Sequence, residues 1–200
     1  MEQSSQTYLK EEIISLNTNV TFMEFMGPSF SDYSLEQIHS DVTDIIRKSG
    51  DHQKRTTNVK AYMTKWLMTE HLPFKIISDH VENIIQAYYR EKTSLNIETF
   101  MTTCWGAIYQ RGDYSEPHAH VPALWSWVYY VKANEKSSPL VFTDGHTYNP
   151  KSGYGIIFPG WLIHEVPPHE DDDERIIVVG NVEGTGNVSY PQRRFLHLQP

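Results

Sequence analysis

The sequence predicts an α+β fold, with helices in the N-terminal half (about 30–92) packed on one face of a β-rich second half (about 97–200) that closes as a sandwich or barrel. Three observations predict it. Apolar residues recur at helical spacing in two stretches before Thr93. From Ile97 onward the chain is rich in Thr, Phe, Trp, Ile, Val and Tyr, broken at short intervals by Gly, Pro, Asn and Asp. Helices first and short strands afterwards is the order of an α+β chain. The whole of 1–200 reads as a single domain, without a boundary, an internal repeat or a low-complexity tract.

The elements follow in order. Ile13 to Phe25 contains alternating and β-branched stretches and predicts a first strand, which Gly27-Pro28 breaks. Ser34-Leu35-Glu36-Gln37 resembles a capping box, and Leu35, Ile38, Val42, Ile45 and Ile46 then form one helical stripe that ends at Gly50. Asp51 to Asn58 is polar and reads as a loop; Val59 to Met68 fits helix or strand. Asp79 is placed to cap a second helix running to about Lys92, with Val81, Ile84, Ile85 and Tyr88 on one face. Strands are expected at Ile97–Tyr109, Leu124–Lys132, Leu140–Thr143, Gly153–Phe158, Ile163–Val166 and Arg175–Val182. Turns at Gly112-Asp113, Asn134–Pro139, Asp144-Gly145, Asn149-Pro150 and Glu170–Asp173 separate them. Phe195–Leu198 predicts a last strand closing an edge.

Composition narrows the function classes. Hydrophobic residues make up 39% and aromatics 12% of 200 residues, enough for a full-sized core. A net charge of -8 argues against a general nucleic-acid-binding surface. One cysteine, Cys104, allows no internal disulfide, in keeping with a cytoplasmic location. Met1 leads into polar residues rather than a signal segment, and no apolar run is long enough for a bilayer.

The chemistry concentrates in a few residues of the second half. His118 and His120 flank a single Ala119, and on an extended segment they point to the same side. Neutral imidazole is a good ligand for Fe(II), Zn(II), Cu or Ni. His164 lies in the apolar segment Trp161-Leu162-Ile163-His164-Glu165-Val166, where a histidine is out of place without a partner; from a distant strand it could close a metal site. The word His164-Glu165 does not open a zinc-protease helix, because Pro167-Pro168 forbids that helix. Arg175 follows the acidic turn, and a hairpin from His164 would bring the two near each other. There its guanidinium could grip a carboxylate with two parallel bonds, or merely neutralise the acidic run Glu170 to Glu174.

Taken together, these words resemble the jelly-roll (double-stranded β-helix) oxygenases that use Fe(II) and 2-oxoglutarate (2OG), in a branch distantly related to the prolyl hydroxylases. The matching segments are Arg111 to His120, Ser126 to Val131, Pro139 to Phe142, Gly155 to Val166 and Glu174 to Asn181. The resemblance implies a jelly-roll core over about 97–200, with Fe(II) held by His118, His120 and His164. His120 stands where that family commonly has Asp or Glu. The resemblance further implies that Arg175 binds the distal carboxylate of 2OG. Tyr130 is a second cosubstrate candidate or a core residue: it shares parity with Ser126 and Val128, while Trp125, Trp127 and Tyr129 face the helices. Tyr109 is a third candidate. The implied activity is hydroxylation coupled to conversion of 2OG and O2 into succinate and CO2. The substrate stays open among a prolyl residue in a peptide, a nucleobase and a small metabolite. Two competing readings are a cupin-like three-histidine enzyme that uses no 2OG, and a non-catalytic jelly-roll binding module. Loops expected at the mouth are Asp51–Asn58, Val121–Ala123 and Asp144–Lys151; His146 in the last either lines the mouth or is an ordinary exposed loop histidine.

Overall fold

Alternation along three long strands organises the molecule. The computed structural model describes residues 21–28, 33–52, 57–93, 97–143 and 145–185. In it β5 (Glu98–Tyr109), β7 (Trp125–Lys132) and β12 (Arg175–Thr185) form the middle of a large sheet. Seven of the eight residues of β7 are buried, since the strand is covered on both faces, which explains its nearly unbroken apolar run. Trp125, Trp127 and Tyr129 face a core shared with the helices, while Val128 and Tyr130 face the core between the sheets.

The large sheet runs, edge to edge, β1 (Met23–Met26), β10 (Tyr154–Pro159), β7, β12, β5, β4 (Tyr62–Met63), β2 (Asp51–His52). Facing it, the small sheet runs β3 (Val59–Lys60), β6 (Tyr114–His118), β11 (His164–Val166), β8 (Leu140–Phe142), β9 (Thr147–Tyr148). Each of these ladders is antiparallel. Two helices, α1 (Leu35–Ser49) and α2 (Leu72–Lys92), bury Ile38, Val42 and Ile46, and Phe74, Ile77, Val81 and Ile85 respectively. The described chain is mostly β. None of its helices is long and apolar enough to cross a membrane.

Several local readings need correction. α2 begins at Leu72 rather than Asp79: Pro73 in its first turn sets the helical φ, and Asp79 is a mid-helix residue paired with Lys75 at 2.6 Å. The Ser34 hydroxyl does accept from the Gln37 backbone N–H (3.1 Å), but the Gln37 side chain donates to Asp41 (2.9 Å), so the return half of the capping box is not made. The Asp51–Asn58 loop starts with β2, and Asp144–Lys151 contains β9; both strands are two residues long, too short to show alternation. Val59–Met68 is β3 and β4 followed by the start of a 3-10 turn. β11 and β12 are not a hairpin: the first belongs to the small sheet, the second to the large one. The predicted strand at Phe195–Leu198 and most of the segment Ile13–Phe25 lie outside the described residues.

Candidate metal centre

β6 ends at His118, and β11 begins at His164 directly across the ladder. The register alone brings the two rings to 4.5 Å between centroids. His120 is not on the strand. Its backbone N–H donates to the Gly160 carbonyl at 2.7 Å and its own carbonyl accepts from Ala123 at 2.8 Å, so a turn aims it, not the alternation expected from the sequence. Its ring lies 4.9 Å from that of His118 and 5.2 Å from that of His164. One ligating nitrogen from each histidine can be chosen so that all lie within 4.8 Å of one another.

Gly160 permits this turn. A Cβ there would lie 2.3 Å from the Ala123 carbonyl oxygen, the backbone that carries His120 round. Gly160→Ala is therefore expected to weaken divalent-metal binding by about tenfold or more through misplacement of His120. Titration with Zn(II) followed by calorimetry checks it; wild-type affinity would refute the role given to Gly160.

The protonation of two rings follows from their partners. His118 Nδ1 is 2.6 Å from the Glu116 carbonyl and His164 Nδ1 is 2.9 Å from the Leu162 carbonyl. A carbonyl can only accept, so Nδ1 carries the proton and Nε2 keeps its lone pair. Burial, then the neighbouring histidines, lowers His164 to about 3 and His120 to about 4. Burial also lowers His118, partly opposed by its bond to Glu116. At neutral pH the cluster is a set of neutral imidazoles that could hold a divalent metal.

Arg175 opens β12, opposite Tyr109 of β5. It is fully buried, and neither Nε nor either Nη has a hydrogen-bond partner among the described residues. The guanidinium carbon stands 4.7 Å from the Tyr109 ring centre and 5.1 Å from that of Tyr130. The acidic run does not neutralise it: Glu174 pairs with Arg47 (2.7 Å), Asp172 with Arg111 (2.6 Å), Asp173 with Lys132 (3.5 Å), and Asp171 accepts from Asn134 (2.7 Å). The Tyr130 hydroxyl is likewise buried, with no hydrogen-bond partner among the described residues. Burial raises both phenols against the pull of the guanidinium, so both remain donors at neutral pH. A buried cation without a counter-charge costs several kcal/mol, about 3 or more, and an anion in this pocket could offset that cost.

A small inner cavity of about 30 Å³ joins the two features, with His118, His120 and His164, Tyr109 and Arg175 in its wall. An outer cavity of about 340 Å³ opens over His118 and His120. The sequence reading missed much of its wall: Trp66, Trp105, Thr103 and Asn181. A signal existed for three of them: Asn181 shares parity with Arg175 along β12, and Thr103 and Trp105 share parity with Tyr109 along β5. Of the expected mouth loops, Thr57 and Asn58 line this cavity, whereas Val121–Ala123 and His146 line neither.

No family model and no curated protein matches the sequence. Solved structures do match in shape. A Pseudomonas putida prolyl-4-hydroxylase superposes with a TM-score of 0.63 at 16% identity, over 82% of this chain and 93% of that one. The viral collagen prolyl hydroxylase of Paramecium Bursaria Chlorella virus-1, as a 2OG complex, gives 0.60 at 16% identity over 80% and 94%. A Trichoplax adhaerens prolyl hydroxylase, in complex with a hypoxia inducible factor oxygen degradation domain peptide fragment, gives 0.60 at 18% identity over 83% and 84%. At such identities the likeness is one of fold. The chain has the jelly-roll fold found in prolyl hydroxylases and other 2OG-Fe(II) oxygenases, and within it a His-x-His pair beside a third histidine.

Proposed function

We propose that the protein is an Fe(II)- and 2OG-dependent dioxygenase that hydroxylates its substrate, with a prolyl residue in a peptide as the leading candidate. The observation that carries this reading is Arg175, a buried guanidinium that has no hydrogen-bond partner among the described residues and lies in the wall of the cavity that the three neutral histidines share. 2OG suits both ends, offering a keto acid to a metal and a second carboxylate to a guanidinium. A cupin-like enzyme without 2OG, or a binding module, leaves Arg175 unexplained.

In this reading His118, His120 and His164 hold Fe(II) through neutral nitrogens. The Nδ1 bonds to Glu116 and Leu162 fix the orientation of two of them. Fe(II), when bound, supplies the oxidative decarboxylation of 2OG to succinate and CO2, coupled to insertion of oxygen from O2 into a substrate C–H bond. Arg175 binds the distal carboxylate of 2OG, the Tyr130 hydroxyl donates to the same anion, and the Tyr109 ring supports the guanidinium. The apolar walls between them, Val128, Leu140, Ile177 and Val179, exclude water. The peptide assignment is supported by the prolyl hydroxylases of the same fold, one of them bound to a peptide fragment.

The test is anaerobic addition of Fe(II) and then 2OG. Bidentate chelation is expected to produce a weak visible charge-transfer band that saturates with 2OG. Absence of the band, with iron shown to be bound, overturns the cosubstrate assignment.

A further inference from the structure

We propose that Asn181, fixed between Ser126 and Thr103, is the residue that selects the substrate, and that it recognises an uncharged amide of the kind found within a polypeptide. The proposal rests on the oxygenase reading above and deepens it.

The inner face of the large sheet is graded. Along β12 the inward positions are Arg175, Ile177, Val179 and Asn181, opposite Tyr109, Ala107, Trp105 and Thr103 of β5. On the other side Tyr130, Val128 and Ser126 of β7 lie beside Ile177, Val179 and Asn181. A cationic row is thus followed by rows dominated by apolar side chains, and then by a neutral polar row at the end that lines the outer cavity.

That last row is pinned. The fully buried Ser126 hydroxyl donates to Asn181 Oδ1 at 2.8 Å, and Asn181 Nδ2 donates to Thr103 Oγ1 at 2.9 Å. The ladder then slips: Asn181 faces Thr103 but Val182 faces Met101, and the skipped Thr102 donates its hydroxyl to the Asn181 carbonyl at 3.1 Å. Such a bulge re-aims a side chain at a strand end. A side-chain amide has two N–H donors and two acceptor lone pairs. One of each is used, which leaves one donor and one acceptor, the complement of the N–H and C=O of one residue in an extended peptide.

Among the described residues, the rest of the outer wall has no counter-charge to offer. Thr57, Asn58, Trp66 and Trp105 contribute hydroxyl, amide and indole groups, and among the described residues no Asp, Glu, Lys or Arg lines the cavity. A phosphate, a free amine or a free carboxylate would lose hydration there without a partner. An internal amide regains its hydrogen bonds on Asn181, and an aliphatic side chain packs on Trp105, which Trp66 meets edge-on at 4.8 Å. Sites built around such polar groups discriminate strongly.

The test uses the full chain loaded with Fe(II) and 2OG without oxygen. The probes are a pool of tripeptides with neutral side chains, acetylated and amidated at their ends, and the same pool with free termini. Peptides retained on gel filtration are identified by mass. Wild type is expected to retain capped peptides about tenfold better than free ones. Asn181→Asp is expected to lose that preference and favour peptides bearing a free amine, with its 2OG charge-transfer band unchanged. Thr103→Val, which frees one side of the amide, gives a second variant should Asn181→Asp fail to fold, and it too is expected to lose the preference. Equal retention of both pools, retention of neither, or a preference unaltered in the variants overturns the proposal. Loss of the charge-transfer band in wild type overturns instead the oxygenase reading on which it rests.

Discussion

Replacing His164 by alanine is expected to abolish stoichiometric Fe(II) binding while leaving the fold in place. His164 is the most buried of the three histidines, only 4% exposed, and the imidazole that both others approach. Its ring packs edge-on to Phe158 at 4.8 Å, and its Nδ1 is tied to the Leu162 carbonyl, so it has one available orientation. Its removal leaves two nitrogens on the Pro117–Pro122 segment, too few for a divalent ion to compete with water. The fold should persist because β11 keeps its backbone pairing to both β6 and β8. Metal content after gel filtration, beside circular dichroism of the same sample, is the measurement. A folded variant that binds iron as wild type does removes His164 from the ligand set and the proposed centre with it.

How much of this was legible in the sequence depends on whether the controlling physics is local. The strands β5, β7 and β12 are, because each is long and flanked by turn residues, and parity separated Tyr130 from Trp127 and Tyr129. The start of α2 was misread because Asp79 has the chemistry of a cap but lies where Lys75 is its partner. The hairpin from His164 to Arg175 was misread for a deeper reason. Neighbours in sequence usually pair, yet the acidic turn carries the chain from the small sheet to the large one, and nothing in the local pattern records sheet membership. The cluster itself was legible as His118, His120 and His164, but not what aims it, because the bond from His120 to Gly160 links segments far apart in sequence. Asn181 lay in plain view on the parity of Arg175. Only the bonds to Ser126 and Thr103 distinguish it from any polar residue near a strand end.

Arg175→Met is expected to make the 2OG-free protein more stable and to destroy its affinity for 2OG. The two effects have one cause. In the absence of an anion the guanidinium is fully buried and, among the described residues, none of its nitrogens has a well-formed hydrogen bond, so the folded state carries a desolvated charge that the unfolded chain would hydrate. Its described neighbours are the side chains of Tyr109 and Tyr130, neutral phenols that carry no counter-charge. Methionine fills similar space between those rings, carries no charge and adapts to irregular gaps, so stability should rise by roughly 1–3 kcal/mol. The same change removes the partner of a buried carboxylate. Losing one side of such a pair costs about 2–5 kcal/mol, a fall in 2OG affinity of roughly thirtyfold to several thousandfold. Thermal unfolding without 2OG and 2OG titration of the iron-loaded protein read the two effects separately, with iron affinity as the control that should not move. Arg175→Lys separates charge from geometry: it keeps the cation but lacks the planar fork, so it should recover only part of the affinity. If Arg175→Met is less stable than wild type without 2OG, some other group already neutralises the guanidinium. If it binds 2OG unchanged, the anion pocket serves a different ligand. In the proposed reading, an arginine that costs the empty protein stability and recovers it only when an anion binds is kept for that anion, so the buried guanidinium supports that reading more firmly than the histidines do.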